Sequence, residues 1–338
     1  MRIFLALVCL AACGDDAAID QTPVCGAGDL SWRTVEDDLD RSALALWGRS
    51  DDDLYLVGGS LGKPGGALFM HSDGTTWTEI PTGSGETLWW VWGAPGAATD
   101  VWMVGENGTI LRWDGTRVSE IPSGTAAHLY GVWGSSSSDV YIVGGRPGPE
   151  ESPDDVVLHW NGSALSVVTL PEEKGAANFK VWGSSADDVY VTGEAGTIWH
   201  KTASGWVDES LPDVFDTLAT VHGCSANEVY AVGGRSLYKR DSAGWAAIQD
   251  AQFFALAAGV SCGADRVLVV GSGGLKLRLE KSSGVWFDDT LEEPYDTDFH
   301  GAWVSPQGSL WAAGGNYIAP ASQIDQRIGV LALRGCPE

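Results

Sequence analysis

The chain has 338 residues and carries 45 acidic against 20 basic side chains, a net charge of −25 with a pI near 4.4. Nucleic acid and anionic lipid surfaces repel such a polyanion, so neither is expected as a partner, and a charged partner is expected to be cationic. Gly (45) and Trp (17) are abundant and Lys is scarce, a composition that suits turn-rich β structure rather than helices.

At the N-terminus Arg2 precedes a short apolar run over residues 3–10, too short for a permanent membrane span and suited to a signal sequence. Leu10-Ala11-Ala12-Cys13 then resembles a bacterial lipobox, small residues before a cysteine that becomes lipidated. The resemblance implies a signal peptide over 1–12, cleavage before Cys13 and acylation of Cys13. Several acyl chains on one residue anchor durably, because each buried CH₂ contributes about 0.8 kcal/mol. Gly14, where an Asp would retain the protein at the inner membrane, implies an outer-membrane lipoprotein, facing the periplasm or the surface. Residues 14–24 are small and acidic with no periodicity, so 13–28 reads as the lipidated cysteine and a flexible tether.

From residue 29 to 338 one unit recurs. Its clearest copy runs from Leu129 to Gly145, L-Y-G-V-W-G-S-S-S-S-D-V-Y-I-V-G-G. Trp47, Trp92, Trp133, Trp182, His222, Val260 and Trp303 are read as occupying one repeat position, about 43 residues apart, the spacing of propeller blades. Each unit parses into four strands. Strand A is L-x-x-V-W-G, strand B is D-V-Y-x-V-G, strand C is typified by 108–115, and strand D begins with Trp, as at Trp77. Alternating apolar residues and Gly-rich breaks favour strands, and Asn107-Gly108 and Asp114-Gly115 signal tight hairpins. The last unit supplies strands A to C and stops, whereas Leu30 to Val35 reads as a strand D with no blade of its own. Pairing the two closes a ring without exposed edges. The expected fold is all-β: a seven-bladed β-propeller with four antiparallel strands per blade, closed by the N-terminal strand D joining C-terminal strands A to C. These repeats resemble bacterial propellers of the BNR/WD type, including the photosystem-assembly-factor kind. That resemblance spans nearly all of 29–338 and implies a fold, since propellers host many unrelated activities.

Outside the signal region the cysteines are Cys25, Cys224, Cys262 and Cys336, an even number that suggests disulfides in an exported chain. Four cysteines allow three pairings, and the repeat register selects among them. Cys224 and Cys262 are read as equivalent turn positions on neighbouring blades, and Cys25 and Cys336 flank the two closing strands. The expected bridges are Cys25–Cys336 and Cys224–Cys262.

Several residue patterns could carry function. Asp53, Asp100, Asp139, Asp188 and Glu228 recur just before strand B. They could form an anionic ring around a cation, but their tie to the repeat favours a bonding role with backbone N–H groups of the A–B turn. Most tryptophans likewise follow the repeat and suggest inter-blade packing. Trp89 and Trp90 depart from it and are candidates for lining the central opening. The segment 72–77, S-D-G-T-T-W, is similar to the Asp-box hairpins of sialidase-like propellers, in which the box is structural. Arg146, Arg235 and Arg327 fall in or near B–C loops on blades 3, 5 and 7, a poor match for a sialidase arginine cluster. The six histidines are dispersed, and no zinc-type, P-loop or G-x-S-x-G motif occurs, so no metal, cofactor or catalytic set is expected.

The repeat is broken by enlarged B–C connections at 60–66, 146–155 and 316–327, and irregular loops are where propellers carry recognition. The candidate binding residues are accordingly Trp89, Trp90, Arg146, Glu150, Glu151, Asp154, Asp155, Arg235 and Arg327. Acidic pairs at 36–38, 172–173 and 292–293 are expected on the same face. The sequence points to a monomeric, non-catalytic, envelope-anchored propeller that binds another protein. The alternative is a carbohydrate-binding or glycoside-hydrolysing propeller whose partner is a glycan.

Overall fold

The computed structural model of the chain describes residues 31–61, 65–97, 99–146, 155–172, 174, 177–248, 254–317 and 328–335. Cys13, Cys25, Glu150, Glu151, Asp154, Arg327 and Cys336 lie outside the described residues. The described residues form seven four-stranded antiparallel sheets, arranged as the blades of a propeller. Six blades take their four strands consecutively from the chain. Blade 3, for example, comprises His128–Ser136, Asp139–Gly145, Val156–Trp160 and Leu165–Val167 as strands A to D. Blade 7 instead joins Asp298–Val304, Leu310–Gly315 and Gly329–Arg334 to the N-terminal strand Trp32–Leu39. The closing pair runs antiparallel from Trp32 opposite Arg334 to Leu39 opposite Gly329.

The burial pattern explains the residue pattern. Strand B of blade 3, Asp139–Gly145, is buried at every position after its first, because both faces of each sheet are covered by neighbouring blades. Strand D, Leu165–Val167, is exposed at two of its three residues, because it forms the rim. The core therefore divides into seven apolar clusters, one at each blade-to-blade interface. The interface between blades 7 and 1 joins Trp303, Trp311, Leu331 and Leu333 to Ala43, Leu46, Leu54 and Leu56, so the closure is packed as the others are.

The W-G pair in strand A is an inter-blade lock. The indole of Trp47 lies where a Cβ on Gly93 of the next blade would be, and Trp92 meets Gly134, Trp133 meets Gly183, Trp182 meets Gly223 and Trp303 meets Gly48 in the same way. Strand pairing corrects the expected register in blade 6. Trp133 pairs with Tyr141 and His222 with Tyr230, and the equivalent pair in blade 6 is Ser261 with Leu268, not Val260. Cys262 thus stands at the glycine position, one place earlier in the repeat than Cys224. The two exceptions to the lock are complementary. His222 replaces Trp and faces Cys262 in place of Gly, with Cys262 N–H donating to His222 Nδ1 (3.1 Å). Ser261 replaces Trp and faces Val304 in place of Gly, and Val304 N–H donates to Ser261 Oγ (3.0 Å). Where the first side chain shrinks, the second grows, so the volume between blades stays filled.

The turns are longer than the hairpin signals suggest. Asn107-Gly108 and Asp114-Gly115 each sit within a four-residue connection, between Val101–Gly105 and Ile110–Trp113 and between the latter and Val118–Glu120. In the C–D turns Asp73, Asp114 and Asn161 each accept two backbone N–H bonds from residues two and three places on. The following glycines take φ of 87°, 90° and 92°, a conformation open to glycine at no steric cost.

Candidate functional site

Strand alternation puts the D–A and B–C connections on one face of the ring. Backbone bonds join them: Gly108 N–H donates to Ala127 O, Gly196 N–H to Asp216 O and Gly274 N–H to Thr297 O. These bonds tie neighbouring connections together at three of the blade junctions around the channel mouth. In six blades strand A carries a bulge near this mouth, and the residues skipped by the ladder are Leu44, Trp89, Tyr130, Phe179, Ala258 and His300. A bulge re-aims its side chain, and here the re-aimed aromatic rings meet. Trp89 contacts Tyr130 and His300, each with ring centroids 5.6 Å apart, and Tyr130 stacks on Phe179 at 4.9 Å. Trp89 belongs to blade 2 and His300 to blade 7, so their contact spans blade 1 at the channel mouth.

Beneath this aromatic layer Lys180 of blade 4 reaches Trp90 of blade 2, its Nζ 4.4 Å from the ring centroid. Lys180 is 2% exposed and donates to Tyr130 O at 2.9 Å. Burial pushes its amine down to about 7. His300 is pushed down to about 3 by burial and by Lys180, so its neutral ring donates from Nδ1 to Leu44 O (2.6 Å). Further in lies an axial cavity of about 170 Å³, bordered by Trp90, Val132, Val181 and Val221 together with the lock residues of strand A. On the outer side Trp89, Glu106, Asn107, Ala126, His128, Tyr130 and Arg146 line an open pocket of about 520 Å³.

The structure therefore brings Trp89 and Arg146 to one pocket and puts Trp90 on the axial cavity behind it. Arg235 is exposed in the B–C turn of blade 5 and lines neither, and Asp155 is half-buried at the start of strand C in blade 3. Cys224 and Cys262 form a disulfide between blades 5 and 6. Lys281 Nζ lies 3.1 Å from Cys224 Sγ and 2.9 Å from a Glu228 carboxylate oxygen.

The acidic residues before strand B do neither of the things their position suggested. Four of them pair with a basic side chain on strand C of their own blade, whereas the nearest base to Glu228 is Lys281 of blade 6. Asp53 bonds His71 (2.8 Å), Asp139 bonds His159 (2.7 Å), Asp188 bonds His200 (2.8 Å), and Asp100 holds Arg112 through two contacts of 2.6 and 2.9 Å. An aromatic from strand B stacks on each of these histidines, with Tyr190 and His200 closest at 4.1 Å. In blade 6 the charges are exchanged, Arg266 pairing with Glu280 at 3.1 Å. His200 also bonds Glu209, which holds Arg240 and the Trp245 indole of the next blade. Burial opposes ionisation of Glu209, but these donors outweigh it and hold the carboxyl at about 2.

Sequence reasoning missed two features of this face. One is Lys180, detectable as the charged residue at a strand A position held elsewhere by Ala45, Trp90, Gly131, Thr220, Gly259 and Gly301. The other is a set of exposed apolar side chains in successive D–A connections: Phe215 (86% exposed), Phe254 (90%), Leu256, Leu291 (90%) and Tyr295. Exposed Asp213 and Asp216 flank Phe215, and Glu293 and Asp296 accompany Leu291 and Tyr295. Among the described residues no helix is long and apolar enough to cross a membrane.

The ring and its site define a seven-bladed β-propeller with a plugged channel and an irregular loop face. Comparison with solved structures places it among known propellers. It superposes on YCF48 bound to D1 peptide with a TM-score of 0.67 at 14% identity, over 92% of this chain and 98% of that one. YCF48 from Cyanidioschyzon merolae gives 0.65 at 11% identity, over 90% and 99%. The WD40 repeats of RRP9 give 0.67 at 10% identity, over 90% and 97%. At such identities the likeness is one of fold. No protein-family model and no curated protein matches the chain.

Proposed function

We propose that this chain is a non-catalytic recognition propeller, held in the bacterial cell envelope by a lipid anchor at Cys13, that binds a cationic and partly apolar protein segment across its D–A face. One observation carries the reading: Phe215, Phe254, Leu256, Leu291 and Tyr295 are exposed on loops of one face, around blades 4 to 7, among acidic neighbours. Large apolar side chains left exposed on one face with a charged surround mark a protein-binding surface. The net charge of −25 favours a basic partner and speeds its capture. The similar YCF48 structure is bound to a peptide, which supports peptide recognition by a ring of this shape. The pairing of the repeated carboxylates with strand C bases also counts against the glycoside-hydrolysing alternative.

The test is affinity capture from detergent-solubilised envelopes with the wild-type chain and a Phe215→Ser/Phe254→Ser/Leu291→Ser variant. These side chains support no core cluster, so the variant should keep its melting temperature. A stoichiometric protein held by the wild type, released by salt and captured at least about tenfold less by the variant is the expected result. Equal capture by both proteins would remove this face from the account.

A further inference from the structure

We propose that the mouth of the central channel is a carboxylate-binding site, in which Lys180 Nζ and the Trp89 indole N–H receive one carboxylate group that enters through the pocket bordered by Trp89 and Tyr130. Lys180 is not required by the repeat, since its cognates in the other blades are uncharged. It is 2% exposed, and its single hydrogen bond, to Tyr130 O, uses one of three ammonium donors. Among the described residues no carboxylate pairs with it, although the chain carries more than two acids for each base. The face of Trp90 supplies only a cation–π contact. Trp89 Nε1 is buried and also has no acceptor. The two donors belong to residues that flank Tyr130, whose carbonyl holds Lys180 and whose ring touches Trp89. A buried ammonium with spare donors and a buried, unused N–H, each belonging to a residue packed against Tyr130, are costly unless an anion answers them.

The anion's class follows from the surroundings. Two donors match the two oxygens of a carboxylate. The walls are aromatic, which suits a carboxylate borne on an apolar group. Glu106 on the pocket rim disfavours a dianion such as phosphate. The depressed amine is consistent with this reading, since an anion would restore its proton. The titratable groups around it are His300, already neutral, and Tyr130 and Tyr317, whose hydroxyls are raised by burial. The same chemistry could come from a free small carboxylate or from the C-terminus of a bound peptide.

The test uses the full chain with ¹³C-labelled lysine, the Lys180 Cε signal being assigned by its loss in Lys180→Met. Acetate and acetamide are titrated first, then one short apolar peptide with a free and with an amidated C-terminus. Acetate should shift the Lys180 signal and acetamide should not if small carboxylates bind. A shift only with the free-ended peptide would identify a chain terminus as the ligand. Trp89→Phe, which keeps the ring and removes the N–H, should weaken the effective ligand about fivefold or more, and it provides the test if Lys180→Met fails to fold. A Lys180 signal unmoved by acetate and by the free-ended peptide overturns the site. Binding of both peptide forms with Lys180 silent would do the same while leaving the protein-binding face intact.

Discussion

At the residue scale the molecule is governed by what glycine permits. Gly93 has an extended backbone that any residue could adopt, and the nearest obstacle to a side chain there is the Trp47 indole. Gly93→Val should therefore destabilise by about 2–4 kcal/mol through overpacking. The Ser261–Val304 pair shows how the chain itself relieves such a clash. Trp47→Ser combined with Gly93→Val should lose less than the sum of the single variants, with a coupling of about 1–3 kcal/mol. Urea denaturation of the four proteins measures this, and strict additivity would show that the complementary pairs in blades 5 to 7 arose for other reasons. The same scale explains why Val260 misled the register: without a Trp, the strand A alignment rests on one-residue spacing, and only the ladder partner Leu268 identifies Ser261 as the cognate.

At the element scale the decisive strand is the N-terminal one. Trp32–Leu39 covers the edge of Gly329–Arg334, and Trp32 is buried with its indole N–H donating to Asp289 (3.1 Å) in blade 6. Its N–H also donates to Glu292 at 3.1 Å. Deleting residues 31–40 removes a large aromatic from the interface between blades 6 and 7, takes one donor each from Asp289 and Glu292, which keep Arg278 and Arg334, and bares the backbone of an edge strand. The expected cost is at least about 4 kcal/mol, with self-association through the bared edge. Thermal melting and sedimentation velocity would register both. A cooperative monomer melting within a few degrees of the full chain would mean that closure is packed by blade 1 alone. The strand B acids belong to this scale as well. His71, His159 and His200 occupy cognate strand C positions, so a spacing signal for the clasps was present in the sequence, although it read as six scattered histidines.

At the scale of the whole molecule, a closed ring whose loop face carries exposed apolar side chains among acids is suited to present a surface rather than to move. Anchoring at Cys13 would confine that surface to a membrane. Cys13→Ala expressed in a bacterial host should shift the protein from the membrane fraction to the soluble envelope fraction without changing its melting temperature. Retention of the variant in membranes would refute anchoring through Cys13.

The seven-blade count and the manner of closure were legible in the sequence because they depend on short-range chemistry. A 43-residue period, apolar alternation and Gly-Asx turns each report local backbone geometry, and a missing strand at one end matches a spare one at the other. What only the tertiary structure decided depends on residues far apart in the chain. Trp89 and His300 meet across the channel, Asp139 pairs with His159 of strand C as well as with Ser135 of its own hairpin, Lys180 is sealed beneath Tyr130, and Phe215, Phe254 and Leu291 are exposed on connections of one face. A one-dimensional pattern records which side of a strand a residue faces, but not which of seven neighbours stands opposite. The site is made of those oppositions, so it appeared only when the ring was closed.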